Sequence, residues 1–129
     1  MIAQLIASVP YCAWLGVSAR IVDGAVLLDL PYDPKLVGNP ILPALHGGVA
    51  GSLLETAALV QILHETGTAR MPRTVDMTVD YLRSARAVES HARAFLVRQG
   101  RRVVSARAEM WQDDAAKPVA QFRGHFLLS

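Results

Sequence analysis

The stretch LPALHGGVAGSLLETAA, residues 42–58, sets a His-Gly-Gly at the mouth of a small, apolar segment that carries one acid, Glu55. From about Gly47 to Glu65 no proline interrupts the chain and helix formers dominate, which predicts a helix of some five turns. Thr66-Gly67 supplies the usual C-terminal stop. Val49, Leu53, Leu54, Leu59, Val60, Ile62 and Leu63 surround the predicted helix, leaving a narrow polar strip at Gln61, His64 and Glu65. Apolar residues on nearly every side mean a helix buried on most of its surface.

What buries it follows from its neighbours in sequence. Residues 17–22 and 25–31 flank Asp23-Gly24, the strongest short hairpin signal. A loop follows, marked by Pro31, Pro34, Gly38, Asn39, Pro40 and Pro43. After the helix, residues 73–82 alternate with period two: Val75, Met77, Val79 and Tyr81 against Thr74, Asp76, Thr78 and Asp80. Segments 91–98 and 101–111 are joined at Gln99-Gly100, and a last strand covers about 118–127. Two strands, one long helix and four strands predict an α+β fold in which an antiparallel sheet of about six strands wraps around one central helix. Residues 1–129 form a single domain in this reading, long enough to bury roughly two-thirds of the unfolded surface.

Composition narrows the function classes. The chain is 52% hydrophobic and 19% charged, which reads as a soluble globular protein with apolar surface to spare for a subunit interface. No run reaches the roughly 18 apolar residues a membrane span needs, so no membrane partner is expected. The N-terminal MIAQLIASVPYCAWLG lacks a basic region before its apolar part, and the lone cysteine, Cys12, reads as a small buried hydrophobe. A cytoplasmic location is the expectation. The net charge of +2 hides an asymmetry: residues 70–129 hold eleven basic side chains, ten of them arginine, against six acids. Arginine is a good fork for phosphate oxygens. The interleaving of those arginines with acids and the absence of a recognition motif argue against nucleic acid.

Glu55 shares its helix face with Gly48, Gly51, Ser52, Ala58, Leu59 and Ile62, and no lysine or arginine lies between Lys35 and Arg70. A carboxylate there is costly unless something distant in sequence satisfies it. The small residues around it leave room for a ligand, the profile of a base or nucleophile in a cleft. The alternatives are an ion pair with a strand arginine or a place at a helix edge in water. At the other end, Gly47 and Gly48 fall where helix N–H groups lack intrahelical partners and the dipole is positive. Without a Cβ, Gly47 admits a carbonyl to its N–H. Eight residues correspond to about 12 Å of helix, too far for both groups to serve one small centre. A second copy of the helix across a dimer axis would bring them together.

These residues carry a resemblance. LHGGVAGSLLETAA, with NPILPA before it and TVDMTVDYLRSARA after it, resembles the hotdog-fold acyl-CoA thioesterases of the phenylacetate-degradation (PaaI-like) group over about residues 14–128. The resemblance implies a hotdog fold and hydrolysis of acyl-CoA to coenzyme A and a carboxylic acid. It implies that the Gly47 N–H polarises the thioester carbonyl and that Glu55 of a facing subunit acts as general base or nucleophile. Asn39 resembles the asparagine that contacts the thioester or the water, one residue further upstream than in the family pattern. His46 matches the motif histidine that shapes the loop, and Thr74 falls where relatives place a hydroxyl near the attacking water. Arg83, Ser84 and Arg86 of YLRSAR, with Arg101 and Arg102 of QGRR, resemble segments that reach the phosphates of coenzyme A. No cofactor or metal is required, coenzyme A being part of the substrate, and the chain is expected as a homodimer at least, with a homotetramer fitting the family. Two other readings remain open: a hotdog dehydratase or hydratase on acyl thioesters, and a non-catalytic acyl-CoA binding module.

Overall fold

A computed structural model describes residues 2–128. Two short helices, α1 (Ile2–Ser8) and α2 (Pro10–Leu15), precede the hairpin of β1 (Ser18–Val22) and β2 (Ala25–Leu30). Asp23 and Gly24 both take positive φ, 52° and 79°, as a two-residue turn between twisted strands requires. A 3₁₀ turn (Pro34–Leu36) leads into a small ribbon of β3 (Val37–Asn39) and β4 (Ala44–Leu45). Helix α3 (Gly47–Thr66) follows, ending on Gly67 at φ 66°. The remaining strands are β5 (Arg73–Tyr81), β6 (Ser90–Gln99), β7 (Val103–Trp111) and β8 (Ala120–Leu127).

The main sheet is antiparallel with order β1-β2-β6-β7-β8-β5, and α3 lies against the inner face of its central strands. Ala92 and Ala94 of β6 and Ala106 and Ala108 of β7 are all buried on that face. Four small side chains at period two let the helix seat closely on the sheet. Around them Leu28, Leu30, Leu53, Leu54, Ala57, Ile62, Met110 and Phe126 fill the core, while Ile6, Cys12 and Leu15 cap it from α1 and α2. The wrapped α+β architecture expected from the sequence is the one observed. No helix among the described residues is long and apolar enough to cross a membrane.

Three features differ from the sequence reading. The N-terminal segment, to which the sequence reading assigns no element, is helical. Gln61 is not part of a solvated strip: it is buried, its Oε1 accepts the Val26 N–H at 2.8 Å, and its Nε2 donates to Glu65. The β2–β6 pairing begins only at Leu27, so the Val26 N–H would otherwise be an orphan in the core. Third, β5 is not evenly alternating. Thr74 pairs opposite Phe126 but Asp76 opposite His125, so Val75 is an extra residue, a β-bulge. Thr74 therefore lies on the helix side with Met77, Val79 and Tyr81, and Val75 leaves that set.

Candidate active site

Helix α3 begins at a pair of glycines whose geometry is set by two side chains. His46 is the N-cap: its backbone is extended (φ −62°, ψ 135°) and its Nδ1 accepts the Gly48 N–H at 2.9 Å. The Gly47 N–H, one residue earlier, donates to no acceptor among the described residues, and Gly47 itself is exposed. On the other side of the helix start, the Tyr81 hydroxyl donates to the Gly47 carbonyl oxygen at 2.8 Å. The Tyr81 ring covers the small-residue face of the helix: a methyl group added at Gly47 would lie 3.5 Å from the phenol oxygen, and one at Gly51 would lie 3.7 Å from it.

Two turns along, Glu55 is half-buried and its Oε2 accepts the Thr74 hydroxyl at 2.7 Å. The distant group that satisfies this acid is thus a neutral hydroxyl from β5, not a strand arginine. One carboxylate oxygen is held while the other stays available. The Val75 bulge is what turns Thr74 toward the helix; the plain alternation of residues 73–82 places it on the opposite face from Tyr81.

Both ends of the arrangement are tied to the same strand. Gly47 meets Tyr81 at the end of β5, and Glu55 meets Thr74 near its beginning. β5 is an edge of the sheet, with Val75 61% and Tyr81 57% exposed. Its outer backbone groups are a template for another strand.

A cleft of about 410 Å³ opens beside Gly47, lined among others by Leu45, Ala50, Tyr81, Arg83 and Ser84. The predicted phosphate-binding residues divide. Arg83 and Ser84 line this cleft. Arg86 lies next to it but its guanidinium is paired with Asp113, and its backbone is held at both N–H and C=O by the Gln112 amide. Arg101 and Arg102 sit in the β6–β7 turn beside a second cleft, at the Thr74 end of the sheet. Asn39 is exposed, and its Oδ1 closes a local turn by accepting the Ile41 and Leu42 N–H groups at 2.9 and 3.4 Å.

Cys12 is buried, and burial pushes its thiol up, as suits a packing residue. Away from the helix, Asp29, Glu89 and His91 converge within 4.8 Å. Asp29 is already taken by Arg20 at 2.8 Å and by His91 Nδ1 at 2.6 Å, and the other ring nitrogen of His91 faces Glu89. Opposed ring nitrogens on two carboxylates make an ion-pair network rather than a chelate.

Tyr81 and Gln112 were not singled out from the sequence. The YLR segment drew attention for its arginine, and nothing local signals a contact between positions 34 residues apart.

The profile of the Thioesterase superfamily matches residues 42–119. The medium/long-chain acyl-CoA thioesterase YigI of Salmonella typhimurium is 37% identical over 94 residues, 63% of this chain and 61% of that protein. The chain thus spans about 61% of the length of that curated relative. A crystal structure of a Chromobacterium violaceum protein superposes with a TM-score of 0.80 at 33% identity, covering 99% of this chain and 89% of the other. A Shewanella oneidensis protein related to the thioesterase superfamily shares the fold, with a TM-score of 0.86 at 24% identity over 99% and 93% of the two chains.

Proposed function

This chain belongs to the thioesterase superfamily, and from that premise we infer that it hydrolyses an acyl-CoA thioester in a site shared by two subunits. The observation that carries the reading is that both candidate groups are tethered to one open edge strand, Gly47 through Tyr81 and Glu55 through Thr74. Antiparallel pairing of β5 with β5 of a second copy about a twofold near its middle brings the Tyr81 end of one strand to the Thr74 end of the other. The Gly47 N–H then faces the partner subunit's Glu55, the meeting that about 12 Å of helix forbids within one chain.

In this arrangement the thioester oxygen accepts the Gly47 N–H at the positive end of α3, where charge develops as the carbonyl carbon turns tetrahedral. Glu55 takes a proton from water as the water oxygen adds, or itself adds to the carbonyl to form an anhydride that water then opens. The C–S bond breaks, the acyl group leaves as a carboxylic acid, and the thiolate of coenzyme A takes up the proton. Thr74 holds one oxygen of Glu55 so that the other faces the substrate. Arg83 and Ser84, beside the Gly47 cleft, are candidates for the coenzyme A phosphates, with Arg101 and Arg102 reaching toward the partner's cleft from the Thr74 end. The name of the Salmonella relative supports medium- or long-chain acyl groups. A hydratase would need a histidine base, and His46 Nδ1 is already occupied by the Gly48 N–H.

The test is free-thiol release from aryl, short-, medium- and long-chain CoA thioesters by the wild type and Glu55→Gln. A general base contributes about 10²–10⁴-fold, so a loss of that size is expected. If the wild type turns over and the Glu55→Gln protein keeps pace within a factor of two, the assignment of Glu55 is wrong.

A further inference from the structure

The peptide unit that joins Gly47 to Gly48 is held at both ends by side chains from outside the helix. Its carbonyl oxygen accepts the Tyr81 hydroxyl at 2.8 Å, and its N–H donates to His46 Nδ1 at 2.9 Å. Consecutive glycines have the widest choice of φ and ψ of any dipeptide, and they occupy the first turn of a helix, where ends fray. The plane that carries the Gly47 N–H is anchored at its other end, where the His46 carbonyl accepts the Val49 and Ala50 N–H groups at 2.9 and 3.3 Å. Pinning the next plane restrains the φ and ψ of Gly47 as well, and so narrows the directions that this N–H can take.

We propose that Tyr81 is a positioning residue for the hydrolysis: its hydroxyl, together with His46, clamps the Gly47–Gly48 peptide so that the Gly47 N–H points at the thioester oxygen. This rests on the function inferred above and deepens it. The two clamping groups are complementary. Tyr81 donates to the carbonyl and His46 accepts from the amide of the same unit, so each bond polarises the plane in the sense that strengthens the other. The His46 bond also withdraws the Gly48 N–H, and Val49 and Ala50 donate to the His46 carbonyl, so among the described residues Gly47 is the one free donor at the helix start. Tyr81 reaches from β5, the strand whose other end holds Glu55 by way of Thr74. A shift of β5 would therefore misalign the donor and the acid together.

An aligned donor acts on the transition state more than on the bound substrate, because the thioester oxygen gains charge only as the reaction proceeds. Loss of alignment should therefore appear in kcat and leave KM nearly unchanged. Tyr81→Phe removes only the hydroxyl and keeps the ring over Gly47 and Gly51. Since a complete donor is worth about 10²–10³ in rate, partial misalignment should lower kcat by about 5- to 50-fold. In a double-mutant cycle, Tyr81→Phe combined with His46→Ala should lose far less than the product of the two single losses, because one peptide is already released by either. Amide NMR gives a readout independent of turnover: the Gly47 and Gly48 signals should move and exchange faster in Tyr81→Phe.

A Tyr81→Phe protein with wild-type kcat overturns the proposal, as does one whose only change is a higher KM, which would make Tyr81 a wall of the cleft. If the wild type releases no thiol from any acyl-CoA, the inferred function fails. The Gly47 and Gly48 amides then still decide the clamp, and their being identical in wild type and Tyr81→Phe refutes it.

Discussion

Replacing Thr74 with valine keeps the β-branched shape and removes the hydroxyl that donates to Glu55 Oε2 at 2.7 Å. A hydrogen bond to a charged group contributes about 1.5–3 kcal/mol. Glu55 is only half-buried, so solvent screening reduces this to about 1–2 kcal/mol. If that energy serves to orient the carboxylate for catalysis, kcat/KM falls by about 5- to 30-fold, at about 1.4 kcal/mol per factor of ten. Thr74→Ser restores the hydroxyl and should recover most of the rate, although its looser χ1 returns less order to the site. The assay is thiol release from a medium-chain acyl-CoA, with circular dichroism confirming that each variant folds. Thr74→Val within twofold of the wild type would show that the hydroxyl merely satisfies the acid. Equal impairment in Thr74→Ser and Thr74→Val would show that packing of the methyl group, not the hydrogen bond, is what matters.

Two further predictions concern stability. Burial pushes the Asp29 carboxyl up, but hydrogen bonds from Arg20 and His91, with their charges, outweigh it and leave Asp29 below the ordinary carboxylate range. A lowered folded-state value means stabilisation that is present above the unfolded carboxylate pKa near ~3.9 and is lost as pH falls through the folded one. The urea midpoint of the wild type should accordingly fall more steeply below about pH 5 than that of Asp29→Asn; parallel profiles would contradict this. Gly38→Ala should destabilise by about 1–3 kcal/mol through overpacking, because the added methyl would lie 2.8 Å from the His46 Cα, which is backbone and cannot swing away. An unchanged urea midpoint would mean that the ribbon of β3 and β4 yields at no cost.

Much of the architecture was legible because its signals are local. Asp23-Gly24 sits between two short β runs, Gly67 closes a twenty-residue helix, and the later strands alternate or end at turn residues. Helices α1 and α2 escaped because six or seven residues are too few to show a period, and isolated helices of that length are not stable in water. They exist by packing Ile6, Cys12 and Leu15 onto the core. Even so, Pro10 at the first turn of α2 and Gly16, at φ 80°, were readable signals. In the site, Glu55 and Gly47 stood out because an acid and a bare amide are anomalous where they occur. The Thr74 and Tyr81 contacts did not, since each joins α3 to a strand folded back from beyond Gly67. Gln61 looked like surface for a similar reason: the orphan N–H of Val26 that draws it inward lies 35 residues away.

The extra residue at Val75 changes how β5 is to be counted. Thr74 and Tyr81 are seven positions apart, an odd interval that in an unbroken strand sends two side chains to opposite surfaces. With one residue looped out of the ladder, the interval behaves as six. A homologue one residue shorter here would present the same two side chains to the helix along a straighter ribbon, whereas the same deletion between Thr78 and Tyr81 would reverse one of them. Length variation is therefore harmless at one point of this strand and ruinous a few residues on, and an alignment that places its gap by residue count alone will pair the wrong hydroxyls.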